Sequence, residues 1–206
     1  MEKFIKKRNL GLLFAIIVLA LVFLFSVYQT ANNRSLTGKA DDILTSYSEK
    51  IDEACLSIST DNSQSKEDEI LKIVDEYWED VDSKCKAFDD KDSTYINKSK
   101  FVKSIKNAME KNLLTDLTMA KTTLKCTDAY AYKTKYFDVE CSYDSRYMYN
   151  ENTTNDVNNS TKISLSGLVN DGLSTEGSVT YVFKKVKGSW KIIGIKLTND
   201  IKGMKY

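Results

Sequence analysis

Nineteen consecutive residues without a charge, LGLLFAIIVLALVFLFSVY from Leu10 to Tyr28, constrain this chain more than any other feature. A helix of that length rises about 28 Å, close to the hydrocarbon thickness of a bilayer. Lys3, Lys6, Lys7 and Arg8 precede the run against Glu2 alone, and only Arg34 and Lys39 follow it closely. The positive-inside bias puts Met1 in the cytoplasm and everything after about residue 30 outside it. The competing reading is a cleaved secretory signal. Against that reading, the apolar stretch is longer than a signal core, Gln29 and Ala31 make a poor small-x-small cleavage site, and no cysteine follows closely enough for a lipid anchor. The expectation is a cytoplasmic tail over 1–9, a transmembrane anchor over 10–30 touching lipid through 10–28, and an extracytoplasmic domain over 31–206.

Removing Lys3, Lys6, Lys7, Arg8 and Glu2 from totals of 30 basic and 29 acidic residues leaves 26 and 28 for the outer part, a net charge of −2. These charges are well mixed, with no basic stripe aimed at nucleic acid. The chain has no proline and no histidine. Abundant Asn, Lys, Asp, Ser, Tyr and Ile suit an AT-rich coding sequence, as in a low-GC bacterium.

The outer part divides by periodicity. Leu36, Ala40, Ile43, Leu44, Tyr47, Ile51, Ala54, Cys55 and Ile58 recur at threes and fours, predicting an amphipathic helix over about 36–59. It can continue from the anchor, with Gly38 as a soft point. TDNSQS (60–65) breaks the pattern. A second helix is expected over about 66–88, on Ile70, Ile73, Val74, Tyr77, Trp78, Val81, Cys85 and Phe88, and a third over about 97–119, from Phe101 to Leu117. From about 121 to 199 the segments shorten, alternate, and fill with Tyr, Val, Ile and Thr, as strands do. Helices followed by an antiparallel sheet of four or five strands make an α+β fold.

Four cysteines outside the cytoplasm invite a disulfide. Cys126 and Cys141 face each other if Lys133-Thr134 turns a hairpin, although that turn lacks Gly, Asn or Asp. Cys55 and Cys85, in a helix hairpin turning near residue 63, would sit roughly 20 Å out of step, beyond disulfide reach.

Without histidine, Ser-His-Asp and Cys-His catalysis are excluded. Asp138 and Glu140 share one face of a probable strand and are the only nominees for carboxylate acid–base work. A solvated strand face is the plainer account of them. DDKDS (89–93) fails as a calcium loop, since Tyr95 stands where glycine is required and Phe101 where the bidentate glutamate belongs. No cofactor or metal site is expected.

The segment YVFKKVKGSWKIIGIKL (181–197) places a tight Lys187-Gly188 turn between two alternating strands, the second opening Gly188-Ser189-Trp190-Lys191-Ile192. It resembles the closing hairpin of NTF2-like (cystatin-like) domains. That resemblance implies helices packed into the concave side of a curved, cone-like antiparallel sheet. Two departures stand out: no strand is legible between the helices, and no catalytic residue of the superfamily can be carried over. Trp78, Tyr181, Phe183 and Trp190 would line a pocket in the cone or fill it as core. A membrane helix, helical stalk and outer NTF2-like domain together resemble the layout of VirB8-type and other envelope accessory proteins. The resulting expectation is a non-enzymatic scaffold or assembly module with protein partners or self-association. The alternative is a small-ligand pocket protein, and after that a histidine-free isomerase or dehydratase.

Overall fold

The structure is a computed structural model, and it describes residues 2–80, 95–112, 114–115, 117–131, 135–149, 162–163, 169–170 and 174–197. Its elements in chain order are α1 (Glu2–Leu56), α2 (Ser63–Tyr77), β1 (Tyr95–Asn97), α3 (Lys98–Glu110), β2 (Leu117–Ala131), β3 (Tyr136–Tyr149), β4 (Lys162–Ile163), β5 (Val169–Asn170), β6 (Ser174–Val186) and β7 (Ser189–Leu197). Strands β1-β7-β6-β3-β2 form one open antiparallel sheet in that order, and β4 pairs with β5.

The apolar run and the first amphipathic stripe belong to one helix. α1 runs 55 residues, about 80 Å, without a break at Gly38. Its apolar window is long enough to cross a bilayer, and none of that window is buried against protein. Burial begins at Leu36 and continues through Ala40, Leu44, Tyr47, Ile51, Ala54 and Cys55. The three-four spacing read from the sequence is therefore the face that meets the sheet. A short 3-10 turn (Thr60–Asn62) reverses the chain. It is held by Asn62, whose Oδ1 accepts from Ser59 N–H at 2.7 Å and whose amide donates to Ser57 O at 3.0 Å. α2 then returns beside α1, with Ser46 Oγ 2.8 Å from Tyr77 Oη and Lys50 paired to Glu76 at 2.7 Å.

The second helix is shorter than its stripe suggested. It stops at Tyr77 because Trp78 turns extended (φ −105, ψ 151) and Glu79 N–H donates to Ile192 O of β7 at 2.8 Å. Val81, Cys85, Phe88 and the 89–93 loop lie outside the described residues. β1, the strand not legible between the helices, is three residues long, too short to show an alternation. The Tyr95 ring occupies the space a Cβ on Gly194 would need, and its hydroxyl donates to Ile193 O at 2.9 Å. α3 starts with Asn97, whose side chain accepts from Lys100 N–H at 2.9 Å. It ends at Glu110 rather than near 119, as Asn112 takes φ 55, a left-handed stop that asparagine tolerates. Leu117 opens a strand instead.

In β2, Ala120, Thr122, Leu124 and Cys126 face inward, and then the phase changes so that Ala129 is the next inward residue. The cause is a bulge at Thr127: the ladder passes from Cys126↔Cys141 to Asp128↔Glu140. The core lies between α1–α3 and the inner face of the sheet, where Phe137, Val139, Cys141, Val179, Tyr181, Phe183, Ile192 and Ile195 meet the helices.

Candidate functional site

The closing hairpin is built as its sequence reads. Lys187 (φ 49) and Gly188 (φ 95) both take left-handed backbone, as in the two-residue turn that matches strand twist. Phe183 stacks on Phe137 at 4.8 Å, and Trp190 meets the same ring edge-on at 4.7 Å. Trp78, only 1% exposed, stacks on Phe101 at 4.8 Å, while Tyr181 is fully enclosed. Burial drives the Tyr181 hydroxyl's pKa well up. These four aromatics thus touch other core side chains, with Trp190 half-buried at the rim beneath the ammonium of Lys185.

Cys126 and Cys141 form a disulfide across the β2–β3 ladder. Cys55 is a buried free thiol among the core side chains of α1. Asp138 and Glu140 both lie on the outer face of β3. Glu140 is exposed, and Asp138 is half-buried opposite Val182. Burial raises the Asp138 carboxyl above its usual range, against the opposing pull of its own backbone N–H and of Lys196. The pair shares a strand face and faces away from the groove described next.

That groove, about 400 Å³, runs between α1 and the edge strand β2, and none of the residues nominated from sequence lines it. Thr45, Ser48, Glu49, Asp52, Glu53 and Leu56 form one wall, and Ala120 to Leu124 form the other. At its floor Asp52, 7% exposed, accepts from Thr122 N–H at 2.5 Å and from Thr122 Oγ1 at 3.3 Å, while Ser145 Oγ donates to Thr122 Oγ1 at 3.3 Å. Nearer the apolar run, Asp41 accepts from Cys126 N–H at 3.0 Å. An edge strand normally leaves such outward N–H groups open to another chain. Here two helix carboxylates fasten to them. The one sequence sign was Ser48 and Asp52, a polar i, i+4 pair beside an apolar stripe.

The groove lining carries three carboxylates against Lys121. Among the described residues, no group of three or more Asp, Glu, Cys or His side chains is placed to hold a metal ion. No protein-family model matches the chain, and no curated protein or solved structure does either.

Proposed function

We propose that this chain is a single-pass membrane protein whose extracytoplasmic α+β domain, NTF2-like in plan, is a non-enzymatic scaffold or assembly module of the cell envelope, with a VirB8-type layout. One observation carries the reading. The helix with the exposed apolar run is the same helix whose later turns form the core, so anchor and domain are joined without a linker. A rigid joint of this kind suits a part that must present its domain at a set height and angle. The Cys126–Cys141 disulfide supports an oxidising compartment for the domain.

The test is fractionation of cells expressing the full chain, followed by protease treatment of intact protoplasts and crosslinking within the membrane. Retention through an alkaline carbonate wash, digestion of the domain from outside, and a crosslinked partner or self-adduct are the expected results. Release by carbonate would remove the anchor. A pure monomer at every concentration, with no crosslinked partner, would remove the assembly role.

A second reading, a small-ligand module, draws on the α1–β2 groove rather than on the aromatics Trp78, Tyr181, Phe183 and Trp190. Three carboxylates on its rim and floor suit a cationic ligand.

A further inference from the structure

We infer that the end of the sheet formed by the last residues of β2, the start of β3 and the β6–β7 turn is a lipid-contacting surface, resting on the anionic headgroup layer of the membrane that α1 enters. The inference rests on the reading of the apolar run as an anchor.

Asp52 of α1 holds Thr122, and Asp41, eleven residues closer to the apolar run, holds Cys126. Eleven helical residues span about 16 Å and four strand residues about 13 Å, so β2 runs nearly antiparallel to α1. Its later residues therefore head toward the anchor. Tyr130 lies three ladder steps beyond Cys126, because Thr127 is the extra residue of the bulge. Those steps add about 10 Å, which brings Tyr130 level with roughly residue 34 of α1. That is about 9 Å past Tyr28, just beyond a headgroup layer of roughly 5–8 Å and within reach of long side chains.

The β6–β7 turn shares this end. Tyr136 pairs with Lys184, and Lys185 N–H donates to Lys135 O at 2.8 Å, so the Lys187-Gly188 turn stands beside the start of β3. This end presents Lys135, Lys184, Lys185 and Lys187, and the acids that flank it among the described residues include Asp128, Asp138 and Glu79, whose backbone N–H donates to Ile192 O. Among the described residues none of these four lysines makes an ion pair. At the far end of β3, Arg146 is paired with Asp144 at 2.8 Å. Cationic side chains near an anionic leaflet attract it, and Tyr and Trp favour the interfacial layer. Tyr130, 60% exposed, is the one strongly exposed aromatic side chain among the described residues beyond the apolar run, and half-buried Trp190 lies beside Lys185. Lysines without an ion pair among the described residues, with an exposed aromatic at the anchor-facing end, fit a bilayer surface.

The experiment uses the full chain in nanodiscs of phosphatidylcholine, with and without phosphatidylglycerol, read by amide hydrogen exchange. Residues 129–131, 135–137 and 184–191 should exchange about five-fold or more slowly in the anionic discs, and high salt should reverse the effect. Lys135, Lys184, Lys185 and Lys187 changed together to Gln should abolish the difference. If that variant does not fold, the exposed pair Lys135→Gln and Lys187→Gln should roughly halve the protection. Equal exchange in both lipids, or protection unchanged in the variants, overturns the inference while leaving the anchor intact. A chain that does not enter the discs at all overturns the anchor and this inference together.

Discussion

Asp52 joins the long helix to the edge of the sheet, so its removal probes how the two halves of the fold are coupled. In Asp52→Ala, the carboxylate that accepts from Thr122 N–H at 2.5 Å and from Thr122 Oγ1 at 3.3 Å is lost from a site 7% exposed. The Thr122 hydroxyl can turn toward Ser145, 3.3 Å away, so the backbone amide bears most of the loss. A hydrogen bond to a charged acceptor is worth about 1.5–3 kcal/mol, and truncation adds a small cavity beside the groove, giving about 2–3 kcal/mol in all. Against a domain stability on the order of 5–15 kcal/mol that is a large share. Glu53, one residue on and exposed, is the matched control, and its change to Ala should cost under about 0.5 kcal/mol. Urea titration of the detergent-solubilised full chain, followed by circular dichroism, reads both. Asp52→Asn, which keeps one acceptor oxygen, should fall between them. If Asp52→Ala unfolds within error of Glu53→Ala, the carboxylate does not hold the edge strand and the coupling argument fails.

Three further outcomes follow from other parts of the fold. Replacing Cys126 and Cys141 with Ser opens a loop of separation 15, and chain entropy sets the loss at about 3 kcal/mol, measurable as a lower urea midpoint that reductant reproduces in the parent chain. Gly188→Ala should cost about 1–2 kcal/mol from backbone strain alone, because an added Cβ would meet nothing within 4 Å. Lys187→Asn should give back a few tenths at the same turn, and an unaltered midpoint for the alanine would contradict the left-handed turn. Asp138 has its carboxyl raised by burial, so its ionised form costs stability at neutral pH, and that cost fades as pH falls through the raised value toward the ordinary 3.8. Asp138→Asn should therefore stabilise at pH 7, by under about 1 kcal/mol given its partial exposure, and lose that advantage near about pH 3. A benefit that grew on acidification would reverse the sign of the argument.

Legibility of the fold differed from element to element. The apolar run, the stripe from Leu36 to Cys55 and the hairpin around Lys187-Gly188 were readable because each depends on short-range regularity: hydropathy, a period of 3.6, a period of 2 and a turn. The Cys126–Cys141 pairing was readable only in part. The turn suggested it, yet the ladder beyond the bulge has a register that by itself would set Cys126 opposite Ser142. It is the extra residue, Thr127, that brings the two sulfurs together. Helix ends depart from the periodicity where the sheet competes for the backbone, at Trp78–Glu79, and where Asn112 turns left-handed. β1 is illegible in the sequence because three residues carry no pattern.

The groove was less legible still. Asp52 and Asp41 read as ordinary helix acids, and nothing local tells that their partners are the amides of Thr122 and Cys126, 70 and 85 residues further on. The long apolar helix, the α+β order and the alternation of the closing hairpin are legible in the sequence alone, since those follow from which side chains leave water. Which strand lies at the edge, which helix covers it, and which strand ends lie toward the apolar run emerge only in the folded chain. Those are questions of pairing between distant segments, settled by backbone amides that must find acceptors and by apolar faces that must find each other.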